Sequence, residues 1–404
     1  MPRSTLRPLL LCTLLSLAFS ASAQTPPPSY LLTRMAQLPE YGNGGDSVRI
    51  YGTVDVGIMH TKTDNAPGRW QQQSGGAYTS KLGFYASEDL GGGLKAEAKL
   101  EAGFNADTGT QQTSALFNRE SWVGLKSATF GTLRFGNQIN AMLPLFVDPF
   151  VLVPTNSVYT WVGGGAMQGP RGAGANTDLG PGAGTIPVRV PKSVTYATPR
   201  VSGFGAQALW AANPYNPSST REPSTGTRSG VVSFTDGRLY VAASMTQSWS
   251  APVAVAAGAP TQLVRTDIPA VGAIFDTGRL VLSASYVEIA PRLAAGGEAH
   301  LTTLGAILNQ GSFTWLVSAV HRDTEGARNA AGTPVDSSAL GLMLGADYNL
   351  SRRSALYARA GAVRNFGAST IILNSVPLPF VAGSTVPQTG IETRTFSLGL
   401  LHHF

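Results

Sequence analysis

Charged residues recur at every second position in one segment, Lys95, Glu97, Lys99 and Glu101, and the positions between and around them are Leu94, Ala96, Ala98, Leu100, Ala102 and Phe104. A strand turns successive side chains to opposite sides, so the segment has a charged face and an apolar face. Four charges on one face need water. The chemistry open to them is electrostatic: fixed charge along a narrow water-filled passage favours mobile ions of the opposite sign. The same alternation sends Arg49, Asp55, Lys81, Arg134 and Arg359 to the watered side of their segments.

Motifs for covalent chemistry do not occur. The sequence has no Gly-x-x-x-x-Gly-Lys-Ser/Thr, His-Glu-x-x-His, Gly-x-Ser-x-Gly or paired-cysteine pattern, and none of its glycine runs opens a helix after a strand. Of the 5 histidines, His402 and His403 are strand neighbours that point to opposite faces and cannot share a metal. No catalytic residue, cofactor or metal is expected. A hydrolase built into a barrel wall would need a Ser or Asp within reach of His60, His300 or His321.

The elements that carry this alternation must separate water from lipid. Charged residues are 13% of the chain against about 25% in an average globular domain. After residue 23 the sequence has no apolar run long enough to span a bilayer as a helix, which leaves the closed β-barrel. At one end, Phe396, Leu398, Leu400 and Phe404 share a face, with Thr395, Ser397 and Gly399 on the other, as expected of a strand that closes such a barrel. At the other, Arg3 and Arg7 precede an apolar run from Leu9 to Phe19 and then Ala21-Ser-Ala23, which predicts a secretory signal over 1–23. Cys12, the only cysteine, lies inside that run. Loss of the signal takes the net charge from +6 to +4, spread over many segments, which argues against nucleic acid as a partner.

Segments with period-two alternation predict sixteen strands, at 47–60, 78–88, 93–104, 115–126, 129–137, 191–199, 203–212, 228–236, 238–248, 265–276, 279–289, 300–309, 312–322, 338–349, 353–365 and 391–404. Gly91-Gly-Gly93, Ser202-Gly203, Asp236-Gly237, Thr277-Gly278, Gln310-Gly311 and Ser351-Arg352 signal tight turns. Short and long connections alternate, so tight turns belong on one rim and long loops on the other. A soluble barrel or sandwich shows the same alternation with its apolar face inside. The two ends and the loop asymmetry favour the membrane barrel.

Ser80-Lys-Leu-Gly-Phe-Tyr-Ala-Ser-Glu-Asp-Leu-Gly-Gly-Gly-Leu-Lys-Ala96, Leu100-Glu-Ala-Gly-Phe-Asn105, Leu116-Phe-Asn-Arg-Glu-Ser-Trp-Val-Gly-Leu125 and Phe130-Gly-Thr-Leu-Arg-Phe-Gly-Asn-Gln138 resemble the trimeric general porins of betaproteobacterial and neisserial type. Val48-Arg-Ile-Tyr-Gly-Thr-Val-Asp55, Lys192-Ser-Val-Thr-Tyr-Ala-Thr-Pro199 and Gly399-Leu-Leu-His-His-Phe404 extend the resemblance to about 47–404. It implies a 16-stranded antiparallel transmembrane β-barrel in the bacterial outer membrane. It further implies homotrimers passing small hydrophilic solutes, contact with outer-membrane lipids and lipopolysaccharide, and insertion by the barrel assembly machinery, with Phe404 as the assembly signal.

The longest irregular stretch, about 138–190, is far beyond an ordinary connection. In the resembling family the third loop folds into the lumen, and the apolar Met142, Leu143, Leu145, Phe146, Val147 and Phe150 favour that over a surface excursion. Asp148 and Asp178 are its acids and Arg171 its clear base, so an acidic loop edge is expected to face a basic wall. Alternation and, for Arg119, the resemblance give the pore and constriction set as Lys81, Arg119, Arg134, Asp148, Asp178, Arg49, Glu101 and Arg359, with basic groups in the majority and a modest anion preference. Three departures from the family bear on it: Lys81 replaces an arginine, Asn137 stands where a base is common, and Leu401 replaces a basic residue. Residues 24–46, with Pro26-Pro-Pro28 and Gly42-Asn-Gly-Gly45, read as a disordered periplasmic linker. A substrate-specific channel would show saturable flux, and an adhesin barrel little conductance.

Overall fold

The computed structural model describes residues 47–404 apart from 143–146, 170–171, 212–225, 294–295, 328–332 and 375. The expected signal over 1–23, the linker over 24–46, and Leu143, Leu145, Phe146 and Arg171 lie outside the described residues. The wall is made of β1 (Ser47–Thr63), β2 (Lys81–Gly91), β3 (Leu94–Asn105), β4 (Glu120–Ser127), β5 (Gly131–Ile139), β6 (Arg189–Ala197), β7 (Phe204–Ala211) and β8 (Thr227–Thr235). It continues through β9 (Leu239–Trp249), β10 (Arg265–Asp276), β11 (Leu280–Pro291), β12 (Glu298–Gln310), β13 (Phe313–Glu325), β14 (Ser337–Asn349), β15 (Ser354–Gly367) and β16 (Glu392–His403). Each pairs antiparallel with its neighbours in sequence, and β16 returns to β1 in register from Thr53↔His403 to Thr63↔Thr393. Closure leaves no open edge in the wall, as a lipid environment demands.

Burial along β13 shows which face is which. Thr314, Leu316, Ser318, Val320, Arg322 and Thr324 are buried, whereas Phe313 and Trp315 are exposed and stack on each other. On β14 the exposed residues include Leu340, Leu342 and Leu344, while Asp347 is buried. Apolar side chains therefore face outward and the polar ones inward, the reverse of a soluble barrel. The last residue completes the wall: the Phe404 N–H donates to the Gly52 carbonyl at 3.1 Å, the Gly52 N–H donates back at 2.9 Å, and the Phe404 ring lies over Gly52.

The sixteen strands stand where alternation places them, except that β4 starts at Glu120, five residues later than expected. There the side chain of Asn118 accepts from the Gly103 N–H at 2.7 Å, which holds the preceding chain outside the ladder. Sequence reading missed the strand Arg69–Ser74, which pairs with Val56–Thr61 of β1, and a hairpin Ala166–Gly169 with Gly172–Ala175 inside the long loop. Between Ser74 and Lys81 the chain bends inward around Asp55, whose carboxylate accepts from the Ala77 and Tyr78 N–H groups at 2.7 and 2.6 Å and from Tyr357 at 2.8 Å.

The long loop lies against inward-facing residues of the wall. Ser283 donates to the Val147 carbonyl at 2.8 Å, Ser397 to Asn156 at 3.2 Å, and Asn156 to the Gly76 carbonyl at 2.8 Å. Gly305, Gly341 and Gly345 give it room: a Cβ there would come within 2.6 Å of Pro149, 2.8 Å of Val158 and 2.8 Å of Phe150. Met142, Val147, Phe150, Val158, Val162 and Leu179 form one buried cluster with Ile268, Val287, Leu301, Leu316, Val320 and Met343 of the wall.

Candidate functional site

Where the loop does not touch the wall, a cavity of about 540 Å³ remains. On the wall side it is lined by Lys81 from β2, Lys99 and Glu101 from β3, Arg119 and Glu120 at the start of β4, and Arg189 at the start of β6. Its loop side is Val151–Thr155, Thr160, Gly164, Ile186 and Val188, with no acid among them. In β2 and β3 the strands set Lys81, Lys99 and Glu101 on the inner face, the last two at alternate positions.

Glu101 is the hub of the charged group. It accepts from Arg119 Nε at 2.5 Å and from Tyr51 at 3.0 Å, with Lys81 Nζ at 3.5 Å and Lys99 Nζ at 3.8 Å. Glu120 takes Lys99 at 2.8 Å and the Trp122 indole N–H at 2.7 Å. Four cations, Lys81, Lys99, Arg119 and Arg189, thus stand against two carboxylates, an excess of two positive charges. Nearer the tight turns a second group forms around Glu97, with Arg134 at 3.3 Å, Lys126 at 3.6 Å and Tyr85 at 2.9 Å. Arg134 also stacks on Trp122 at 4.1 Å, and Arg49 lies 5.6 Å from the centre of the Tyr85 ring.

Three of the expected pore residues stand elsewhere. Arg359 is buried in an ion pair with Asp347 at 2.6 Å and sits beneath Phe150 of the loop, so it supports the loop without lining the cavity. Asp148 is fully buried, its carboxylate accepting from the Ser157 hydroxyl at 2.6 Å and the Leu152 N–H at 3.3 Å. Burial holds that carboxyl above the usual range in spite of these hydrogen bonds, and burial together with Asp148 pushes the Tyr159 phenol up. Asp178 accepts from Arg322 of β13 at 2.9 and 3.0 Å and from Thr324 at 2.8 Å. The expected acidic loop edge facing the basic wall is therefore corrected: one acid is enclosed by its own turn and the other is spent on β13.

Arg189 and Glu120 were missed. Glu120 follows Arg119 and is the first residue of β4, where alternation has barely begun. Arg189 precedes a bulge between Val190 and Ser193, where Lys192 has φ of +52°. A bulge shifts the alternation and re-aims what precedes it, so spacing from the Lys192-Ser-Val-Thr-Tyr motif misdirects Arg189. Among the described residues His60 packs on Trp70 with ring centres 4.8 Å apart, His300 bonds Tyr286 at 2.8 Å, and His402 bonds Ser354 at 2.9 Å. Among the described residues no group of three or more His, Cys, Asp or Glu is placed to hold a metal.

A family described as Gram-negative porin matches residues 10–368. Outer membrane porin protein 32 of Delftia acidovorans is 29% identical over 365 residues, which cover 89% of this chain and 94% of the relative. The solved structure of an anion-selective porin from Comamonas acidovorans superposes with a TM-score of 0.71 at 26% identity, over 89% of this chain and all of that one. The trimer form of the outer membrane protein OmpT from Vibrio cholerae, 15% identical with a TM-score of 0.59, shares the fold over 89% of this chain and 100% of its own.

Proposed function

We propose that this chain, which belongs to the Gram-negative porin family and is an outer-membrane porin, passes small hydrophilic solutes with a preference for anions set by Lys81, Lys99, Arg119 and Arg189. The observation that carries the preference is the excess of two positive charges around the cavity, together with the absence of acids from its loop side. In a narrow watered passage such an excess raises the local concentration of anions and lowers that of cations. The Comamonas relative, selective for anions as its name states, supports the same sign. Arg134, paired with Glu97, and Arg49, beside the Tyr85 ring, extend the basic lining toward the tight-turn rim.

The loop, 138–190, narrows the passage by occupying one side of it, held there by its apolar cluster and by Asp178 on Arg322. Assembly as a homotrimer is supported by the family and by the exposed Val48, Ile50, Val54, Phe396, Leu398 and Leu400 where the first and last strands meet. The remaining outer surface meets outer-membrane lipids and lipopolysaccharide, and Phe404 serves the barrel assembly machinery as its signal. No catalytic step is assigned to any residue. The deciding experiment is a reversal potential in a potassium chloride gradient across a planar bilayer. Chloride preference is expected; potassium preference refutes the assignment of the basic wall, and saturable flux of one solute would favour a specific channel.

A further inference from the structure

The last long connection, 368–391, leaves the rim and enters the barrel. Asn365, inward on β15 and 1% exposed, turns it in: its amide donates to the carbonyls of Ile371 at 3.0 Å and Ile391 at 3.2 Å. Its side-chain oxygen accepts from the Ile371 N–H and the Ser369 hydroxyl, both at 2.7 Å. One side chain thus holds both ends of the connection.

The turned-in segment then meets the hairpin Ala166–Gly169 and Gly172–Ala175 edge to edge. The Gln168 N–H donates to the Thr370 carbonyl at 2.9 Å, the Ile372 N–H donates to the Ala166 carbonyl at 2.8 Å, and the Thr370 hydroxyl donates to the Gln168 carbonyl at 3.0 Å. Met167 and Ile371 stand directly opposite one another. Ile371, Ile372 and Leu373 are fully buried, and Ile371, Leu373 and Met167 join the same cluster as Val158 and Val162. Beyond it Asn374 reaches Met59 of β1 at 3.5 Å from its sulfur.

The hairpin needs this partner. Its two strands read Ala-Met-Gln-Gly and Gly-Ala-Gly-Ala, with little side chain to pack, and an isolated two-stranded ribbon is marginal at best. We propose that residues 369–373 are a strap that adds a third strand to the hairpin and fixes the constriction loop in its conducting position, with Asn365, Thr370 and Ile371 as positioning residues. The inference rests on the diffusion-pore reading but not on the sign of its selectivity. The strap controls how steadily the pore stays open, and the basic wall controls which ions it favours.

Two variants test it. Thr370→Val keeps the shape and deletes one hydrogen bond, which shifts the ratio of docked to undocked loop by about fivefold. Because the flanking hydrogen bonds bracket residues 167 and 371, they form the close, non-hydrogen-bonded type of pair, within reach of a disulfide. Met167→Cys with Ile371→Cys, oxidised by copper phenanthroline, therefore locks the strap on the hairpin. In planar bilayers Thr370→Val is expected to show more frequent partial closures and a lower closing voltage than the parent. The oxidised pair is expected to show fewer closures, with reversal by dithiothreitol. Both should keep the parent's reversal potential and the heat-resistant gel mobility of a folded barrel. Closure rates equal to the parent's in either channel overturn the strap, whereas cation preference in all of them refutes the selectivity reading and leaves the strap standing.

Discussion

Arg189→Gln is the most informative change at the basic wall. It removes one of the four cations around the cavity, and Arg189 forms none of the ion pairs described for Glu101 or Glu120, so no carboxylate is orphaned. A sphere with the cavity's volume of about 540 Å³ has a radius of about 5 Å, which sets the distance from a wall charge to an ion at the centre. At that distance in bulk water one unit charge stabilises an anion by about 0.8 kcal/mol, roughly a fourfold change in its local concentration. Salt at about 0.1 M screens with a length of about 10 Å and reduces this to about 0.5 kcal/mol, roughly twofold. The low dielectric of the wall works the other way, so twofold is a lower bound. Because the same charge repels the cation by the same factor, Arg189→Gln should cut the chloride-to-potassium permeability ratio by at least about fourfold near 0.1 M salt, and by much less near 1 M, where the screening length is about 3 Å. The assay is the reversal potential in shallow gradients centred on each concentration. A ratio unchanged at low salt, or a change that persists undiminished at high salt, would show that the excess charge at this cavity does not set selectivity.

Three other changes address the loop and the closing strand. Because burial raises the Asp148 carboxyl, its contribution to loop docking is complete at pH values below the ordinary carboxylate range and is lost as pH rises through the raised value. Asp148→Asn, which keeps an acceptor for Ser157, should flatten that dependence in the rate of loop cleavage by a protease; a slope equal to the parent's would remove Asp148 as its origin. Gly341→Val places a Cβ about 2.8 Å from Val158, so the loop must shift at a cost of about 1–3 kcal/mol. Single-channel conductance should change while the reversal potential stays put, and an unchanged conductance would mean that the loop there does not border the passage. Phe404→Ser should lower the amount of folded protein in the outer membrane without altering the conductance of the channels that insert, and normal levels would refute a role in assembly.

The wall was legible in the sequence because two local rules write it. Alternation is complete in stretches such as Leu94–Phe104, and the turn glycines at 203, 237, 278 and 311 all adopt positive φ where the tight turns were expected. Arg69–Ser74 escaped because Arg-Trp-Gln-Gln-Gln-Ser has no apolar face, its place being decided by the ladder that β1 offers. Among the site residues, Lys81, Glu101 and Arg134 share the inner face because strand geometry alone puts them there, whereas Arg119, just before β4, was indicated by the resemblance. Alternation sends Arg359 inward and the in-folded loop was expected to carry Asp148 and Asp178 to its edge, but their partners Ser157, Arg322 and Asp347 come from the loop's own turn and from distant strands. The inward path of 368–391 was invisible for the same reason: Ile371-Ile-Leu373 shows an apolar run, and only Asn365 says which way it turns.

These placements separate two properties that a narrow pore could have tied together. The loop spends its apolar side chains and both of its described acids on anchorage to the wall and to its own turn, and presents mainly backbone, aliphatic and hydroxyl groups to the cavity. Net charge at the cavity is then a property of β2, β3, β4 and β6 alone, whose carboxylates are each matched by more than one cation or donor. On the proposed reading, passage width is set by the loop's contacts with β11 to β14 and with the turned-in connection after β15. Substitutions on the first group should move the reversal potential at constant conductance, and those on the second should move conductance and its fluctuations at constant reversal potential. A single substitution far from the cavity that shifts both together would mean that the loop and the basic wall move as one body, against the separate anchorage seen here.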